Sequence, residues 1–177
     1  MKKEFLRFSP VSYAEFDSVY ADLERAFPFE ERRTYADEKK LLEEKNCRFY
    51  KVVFGNETVG CAVLWELKNF VFLEHITIKP EERGKGYGSE TLRLMVKTYE
   101  NKPIILEVEP PDGGYADRRI AFYQRNGFVL NEKADYVQPS YHGGEGIPLL
   151  IMSSQPLDET ATEKFISEIK DFCYKTR

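Results

Sequence analysis

Apolar positions along the chain fall into two rhythms, and the switches between them lay out an order of elements. Glu4 to Phe8 alternates briefly, as an edge strand would. Phe16, Val19, Tyr20, Leu23 and Phe27 then recur every three or four residues, the stripe of a helix lying on a sheet. Ser12 and Glu15 have the spacing of a capping box at its start, Val11 and Phe16 that of a hydrophobic staple, and Pro28 stops it. A more charged helix is predicted from Thr34 to Lys45, with Thr34 as its cap and Leu41 and Leu42 as its buried residues. Arg48 to Phe54 and Thr58 to Leu67 are rich in β-branched and aromatic residues and flank Gly55-Asn56, the signature of a hairpin. A third strand, Phe70 to Ile78, follows at once, so the three form an antiparallel meander.

The second half changes style. A glycine-rich turn after Lys79 leads into a helix through Tyr99 with Leu92, Met95, Val96 and Tyr99 on one face, and Pro103 to Val108 is a further strand. Strand, helix and strand in that order make a crossover unit with parallel strands. Asp117 is placed to cap a helix from Arg118 to Asn126, closed by Gly127. Phe128 to Leu130 and Ile147 to Ser153 read as a last strand pair around a loop of about 16 residues, NEKADYVQPSYHGGEG. A terminal helix starts at Asp158 or Thr160 and carries Phe165, Ile169, Phe172 and Cys173 as its stripe. The fold class is α/β with a mixed sheet, and residues 1–177 are read as a single domain with a core of about 5–153 and a helical extension at 157–177.

Composition narrows the classes of partner. The 177 residues are 42% hydrophobic, enough for a real core. The 26 basic and 30 acidic residues are interspersed and sum to −4, which gives no broad cationic face for a nucleic acid. No run of about 18 apolar residues is present to span a bilayer, and MKKEFLRFSP lacks the apolar centre of a secretory signal, so a cytoplasmic protein without a membrane partner is expected. Cys47, Cys61 and Cys173 are scattered, without disulfide or zinc spacing, and are expected to be reduced thiols, with no metal.

The stretch KPEERGKGYGSETLRLM carries the chemistry. Gly84, Gly86 and Gly88 stand where a strand turns into a helix. There the unpaired N–H groups of the helix start face outward at the positive end of the dipole, and glycines let a diphosphate approach them. The spacing is neither that of a mononucleotide P-loop nor that of a dinucleotide fingerprint.

Arg83-x-x-Gly86-x-Gly88, preceded by the strand HITI and Pro80-Glu81-Glu82, resembles the acetyl-coenzyme A signature of the GNAT N-acetyltransferase superfamily. Downstream, IAFYQRNGFVL is similar to the second signature of that family, and the order of elements is also the GNAT order, from about residue 5 to 153. One position departs: many members carry an asparagine about seven residues before the tyrosine, where this chain has Ala116.

The resemblance implies an antiparallel meander, a βαβ crossover and a splayed strand pair, with the terminal helix as an addition. It implies an acyltransferase that moves the acetyl group of acetyl-coenzyme A to a primary amine of a small molecule or peptide within a ternary complex. Ile76, Thr77 and Ile78 would pair through their backbone with the pantetheine arm, and Arg83, Gly84, Lys85, Gly86, Tyr87, Gly88 and Ser89 would cradle the diphosphate. An alkylamine with a pKa of about 10.4 must lose a proton before it attacks. Glu74 is the first candidate base and His75 the second, with the note that strand neighbours point to opposite faces. Tyr123 matches the family tyrosine beside the coenzyme sulfur. Phe27, Phe29, Glu30, Gln138 and Tyr141, on the first inter-helix loop and the late loop, are the expected acceptor contacts. An acyl-coenzyme A sensor without turnover, a longer acyl donor and an oxygen acceptor stay open, as does a homodimer.

Overall fold

The computed structural model describes residues 5–175. The described residues form two compact units, one of residues 5–66 and 73–98, the other of 67–72 and 99–175.

In the first unit the strands β1 (Leu6–Pro10), β2 (Cys47–Phe54), β3 (Glu57–Glu66) and the part of β4 (Val71–Ile78) from Leu73 onward stand in sequence order. The pairs β1–β2 and β2–β3 are antiparallel, and the tight turn at Gly55-Asn56 requires this of the second pair. β1 runs two residues beyond the predicted strand, whose Glu4 lies outside the described residues. Helix α1 (Phe16–Ala26) follows a 3-10 turn at Tyr13–Glu15, where the Glu15 carboxylate accepts from the Ser12 N–H at 3.0 Å and from its hydroxyl at 2.7 Å. Its buried residues are Phe16, Val19, Tyr20 and Leu23. Phe16 meets Phe49 of β2 edge-on at 5.6 Å. Three positions on, Val52 joins Leu6 and Val59 beneath Tyr87 and Leu94 of helix α3 (Tyr87–Thr98). Period-2 geometry puts Phe49 and Val52 on opposite sides of β2, so α1 and α3 cover the two faces of this sheet.

Helix α2 (Tyr35–Lys40) is shorter than predicted and gives way to a 3-10 turn at Leu41–Glu43. Thr34 does cap it, accepting from the Asp37 N–H at 3.2 Å. Its buried residue is Glu38, while Leu41 and Leu42 are only half-buried, a correction explained by the arginine that receives the carboxylate. On the outer side of α2, the Lys39 ammonium lies over the rings of Tyr13 and Tyr35 at 4.6 and 5.0 Å and 3.4 Å from Asp17.

In the second unit β5 (Ile104–Val108), β7 (Ile147–Ser153) and β6 (Val129–Gln138) are antiparallel in that spatial order. The predicted long loop is a strand over its first half, interrupted by a register shift between Asn131 and Tyr136. Helix α4 (Tyr115–Arg125) starts earlier than predicted, because Asp112 and Asp117 together tie down the turn before it. Gly127 closes it at φ +88°, the left-handed conformation expected there. Helix α5 (Glu159–Cys173) is capped by Asp158, which accepts from the Ala161 N–H at 2.7 Å. Phe165, Ile169 and Cys173 are buried as predicted, whereas Phe172 is 47% exposed and Thr162 takes the fourth inward position. Tyr174 then turns inward, its hydroxyl donating to Glu107 at 2.8 Å.

Candidate functional site

The glycine turn has the backbone that its sequence demands. Gly84 and Gly86 adopt φ of +78° and +85°, the region L-residues avoid, and a Cβ on either would meet nothing within 4 Å. The space in front of them is open, so neighbouring packing does not ask for glycine there; conformation does. Gly88 lies in the first turn of α3 and is not left-handed. The first i→i−4 bond, Glu90 N–H to the Gly86 carbonyl at 3.1 Å, leaves the preceding amides at the positive end of a 12-residue helix. That arrangement fits a diphosphate. Lys85 pairs with Glu82 at 2.9 Å and is exposed. Arg83 donates from Nε to the Ile78 carbonyl at 3.1 Å, so its role in the turn is partly to fasten the end of β4.

β4 is half-buried at Glu74, Ile76 and Ile78 and buried at His75 and Thr77. Close approach of β3 is allowed by Gly60, whose added Cβ would lie 2.2 Å from the Thr77 carbonyl. The Glu74 side chain is fully buried, with Arg33 donating to Oε1 at 2.8 Å and the Trp65 indole to Oε2 at 2.9 Å. The same Arg33 Nη1 reaches Glu38 Oε2 at 3.4 Å. The His75 ring lies tilted against Phe27 with ring centroids 4.6 Å apart. Although Glu74 and His75 are strand neighbours, each brings a ligand-type atom within 4.8 Å of the other and of Glu38. Arg33 sets a positive charge against both carboxylates of this set.

Burial, the largest influence, pushes the Glu38 carboxyl up to about 7 against the pull of Arg33, and Glu74 adds to the rise. Burial likewise raises the thiols of Cys47 and Cys61, and all three cysteines are buried. Phe29 and Glu30 are exposed on the loop after α1. That loop is organised by Arg32, which donates to the Tyr20 hydroxyl at 2.7 Å and the Phe27 carbonyl at 3.2 Å and covers the Phe29 ring at 5.8 Å.

The second unit holds the remaining expected residues. Tyr123 is buried on α4 between the rings of Phe122 and Phe128. Burial holds its phenol above the ordinary value, while Arg119, which hydrogen-bonds it, pulls the other way. Arg119 is anchored by Glu109 at 2.9 Å. Gln138 is buried in β6, and the Tyr141 ring lies tilted against that of Tyr174 with centroids 5.3 Å apart. Glu107 receives hydroxyls from both Tyr136 and Tyr174.

Sequence reasoning missed Arg33, Glu38, Trp65, Arg119 and Glu109. One signal pointed toward the first group: Trp65 is the sole tryptophan of the chain.

The Acetyltransferase (GNAT) family profile matches residues 16–128, and the chain belongs to this family of acyltransferases. YjbC of Bacillus subtilis (strain 168), which carries an acetyltransferase name, is 30% identical over 146 residues, 81% of this chain and 73% of that one. A structure described as an acetyltransferase of the GNAT family from Bacteroides thetaiotaomicron is 30% identical, covers 97% of this chain and 99% of its own, and superposes with a TM-score of 0.90. The spermidine N-acetyltransferase of Vibrio cholerae in complex with CoA and spermine shares the fold at 17% identity and a TM-score of 0.60, over 84% of this chain and 94% of that one. The α/β fold with a mixed sheet is therefore the GNAT fold. Among the described residues no helix is long and apolar enough to cross a membrane.

Proposed function

We propose that the protein transfers the acetyl group of acetyl-coenzyme A to a primary amine of a small molecule or peptide, in the cytoplasm, within a ternary complex. The observation that carries this reading is the left-handed pair Gly84 and Gly86 opening onto the start of α3. Arg83, Gly84, Lys85, Gly86, Tyr87, Gly88 and Ser89 cradle the diphosphate, and the backbone of Ile76, Thr77 and Ile78 lines the pantetheine arm. The amine comes as an ammonium, gives up one proton, and its lone pair attacks the thioester carbon. The N–C bond forms, the C–S bond breaks, and sulfur leaves with the electron pair. A second proton leaves the nitrogen as the amide forms and passes to the thiolate sulfur, which gives the free thiol of coenzyme A.

Glu74 receives the amine's proton through an intervening water, because its side chain is shielded and both its oxygens already accept hydrogen bonds. His75 is the alternative acceptor, held by Phe27. Tyr123 serves the sulfur. A thiol has a pKa of about 8.5, and a phenol ordinarily near 10 that burial raises further is the weaker acid, so Tyr123 hydrogen-bonds the departing thiolate and keeps its own proton. Phe27, Phe29 and Glu30, with Gln138 and Tyr141, contact the acceptor, aromatic surface for its apolar body and a carboxylate for its charge.

A screen of amines that follows free-thiol release tests the activity. Single-turnover release should be about tenfold slower or more in Tyr123→Phe, with acetyl-coenzyme A affinity unchanged. Equal rates remove Tyr123 from the mechanism, and no release by the wild-type protein with any amine favours an acyl-coenzyme A sensor of the same fold.

A further inference from the structure

We infer that Glu38 is a positioning residue for acetyl transfer: it shares the single guanidinium of Arg33 with Glu74 and so sets how readily Glu74 takes up a proton. The inference rests on the reading of Glu74 as the proton acceptor. Its geometry is that one nitrogen, Arg33 Nη1, lies 2.8 Å from Glu74 and 3.4 Å from Glu38, with both carboxylates shielded from solvent. The second oxygen of Glu38, Oε1, is buried and has no hydrogen-bond partner among the described residues. A carboxylate satisfied at one oxygen and bare at the other is a poor packing device, since a leucine would fill the space without the desolvation cost.

Charge counting gives the behaviour. Two ionised carboxylates against the one guanidinium that touches both leave a net negative charge where both side chains are shielded from solvent, so the pair retains one proton until the pH is high enough to remove it. The groups facing Glu38 are Arg32 and Arg33 from the segment before α2, Tyr20 from α1, Cys47 from β2, Cys61 from β3, and Glu74 and His75 from β4. Burial and Glu74 favour its neutral form, and the two arginines oppose them, which brings its titration close to neutral pH. While Glu38 is neutral, Arg33 belongs to Glu74 and holds it as a weak base. Once Glu38 is ionised, the guanidinium is divided between two anions and Glu74 becomes more basic. Glu38 touches no reacting atom; it works through Arg33.

Glu38→Gln separates charge from shape, because the amide oxygen still accepts from Arg33 while the side chain stays neutral. Two readouts are needed. A carbon NMR titration of labelled glutamate carboxyls, from about pH 5.5 to 9, should show the wild-type pair titrating in two linked steps, with Glu74 more readily deprotonated in Glu38→Gln. Thiol release with the best amine should rise with pH through a step near neutrality in the wild type. In Glu38→Gln that step should vanish and the rate above it should fall about tenfold or more, with coenzyme A affinity unchanged. Glu38→Asp should restore part of the step. An unmoved Glu74 titration overturns the sharing of Arg33, and a shifted titration with an unaltered rate profile overturns the role in transfer. Should Glu38→Gln not fold, a wild-type pair that fails to titrate in two linked steps overturns the inference by itself. If Glu74→Gln turns over like the wild type while the NMR coupling is present, the reading of Glu74 fails and Glu38's role in transfer fails with it, though the shared guanidinium stands.

Discussion

The glycine turn and the Glu74 cluster lie in one unit of the molecule and are built by opposite means. The turn is contiguous in sequence, open, and made of backbone; what matters there is that side chains are missing. The cluster is closed and made of side chains from four separated segments, with Arg33 and Glu74 41 positions apart. Backbone sites tolerate loss of a neighbouring side chain and fail when one is added. Buried charge clusters behave in reverse, because each member offsets the desolvation of the others.

That contrast can be broken by mutation, and the largest effect is expected in the cluster. Arg33→Ala leaves two shielded carboxylates without their cation and should destabilise the protein by about 3–5 kcal/mol at neutral pH, with partial recovery on acidification, measured by denaturant unfolding. A variant as stable as the wild type would show that water enters the cluster freely. Next comes proton linkage. A carboxyl whose pKa rises from 4.5 unfolded to about 7 folded binds more protons in the native state, so its contribution is greatest below 4.5 and is lost as pH rises toward 7. Glu38→Gln should remove about 3 kcal/mol of that pH dependence, read from unfolding curves across this range.

The turn should answer differently. Gly86→Val, at φ +85°, should keep the fold and weaken coenzyme A binding by about 100-fold, measured by calorimetry. Unchanged affinity would end the assignment of the turn. Lys85→Ala should change that affinity by less than about threefold, since its exposed pairing with Glu82 contributes little. A loss as large as that of Gly86→Val would mean that side-chain charge, and not backbone, holds the ligand.

The same contrast explains what could be read from residues alone. Long apolar stripes gave α1, α3 and α5, and the two signatures gave the family, because local spacing encodes both. β6 was legible only at its start: NEKADYVQ is mostly polar, and its register shift breaks the alternation by which a strand is recognised. The start of α4 was misplaced because Asp117, expected as its cap, instead accepts from the N–H groups of Asp112 and Gly113 from inside the helix. The turn was legible since glycine at a strand-to-helix junction has few other uses. The cluster was not, because a glutamate on a charged helix looks like any solvated glutamate until the fold brings Arg33 and Glu74 to it.

A consequence for protein chemistry follows from Lys39. Its ammonium is held between aromatic faces and the Asp17 carboxylate, and the Tyr35 hydroxyl, the largest influence, keeps its pKa above the ordinary value. An amine that stays protonated is a poor nucleophile. In a protein whose family moves acetyl groups, Lys39 should therefore be among the slowest lysines to be acylated, whether by acetyl-coenzyme A in trans or by an activated ester. Mass-spectrometric labelling should find Lys40, one residue away and exposed, modified well before it, and Tyr35→Phe should bring the two closer together.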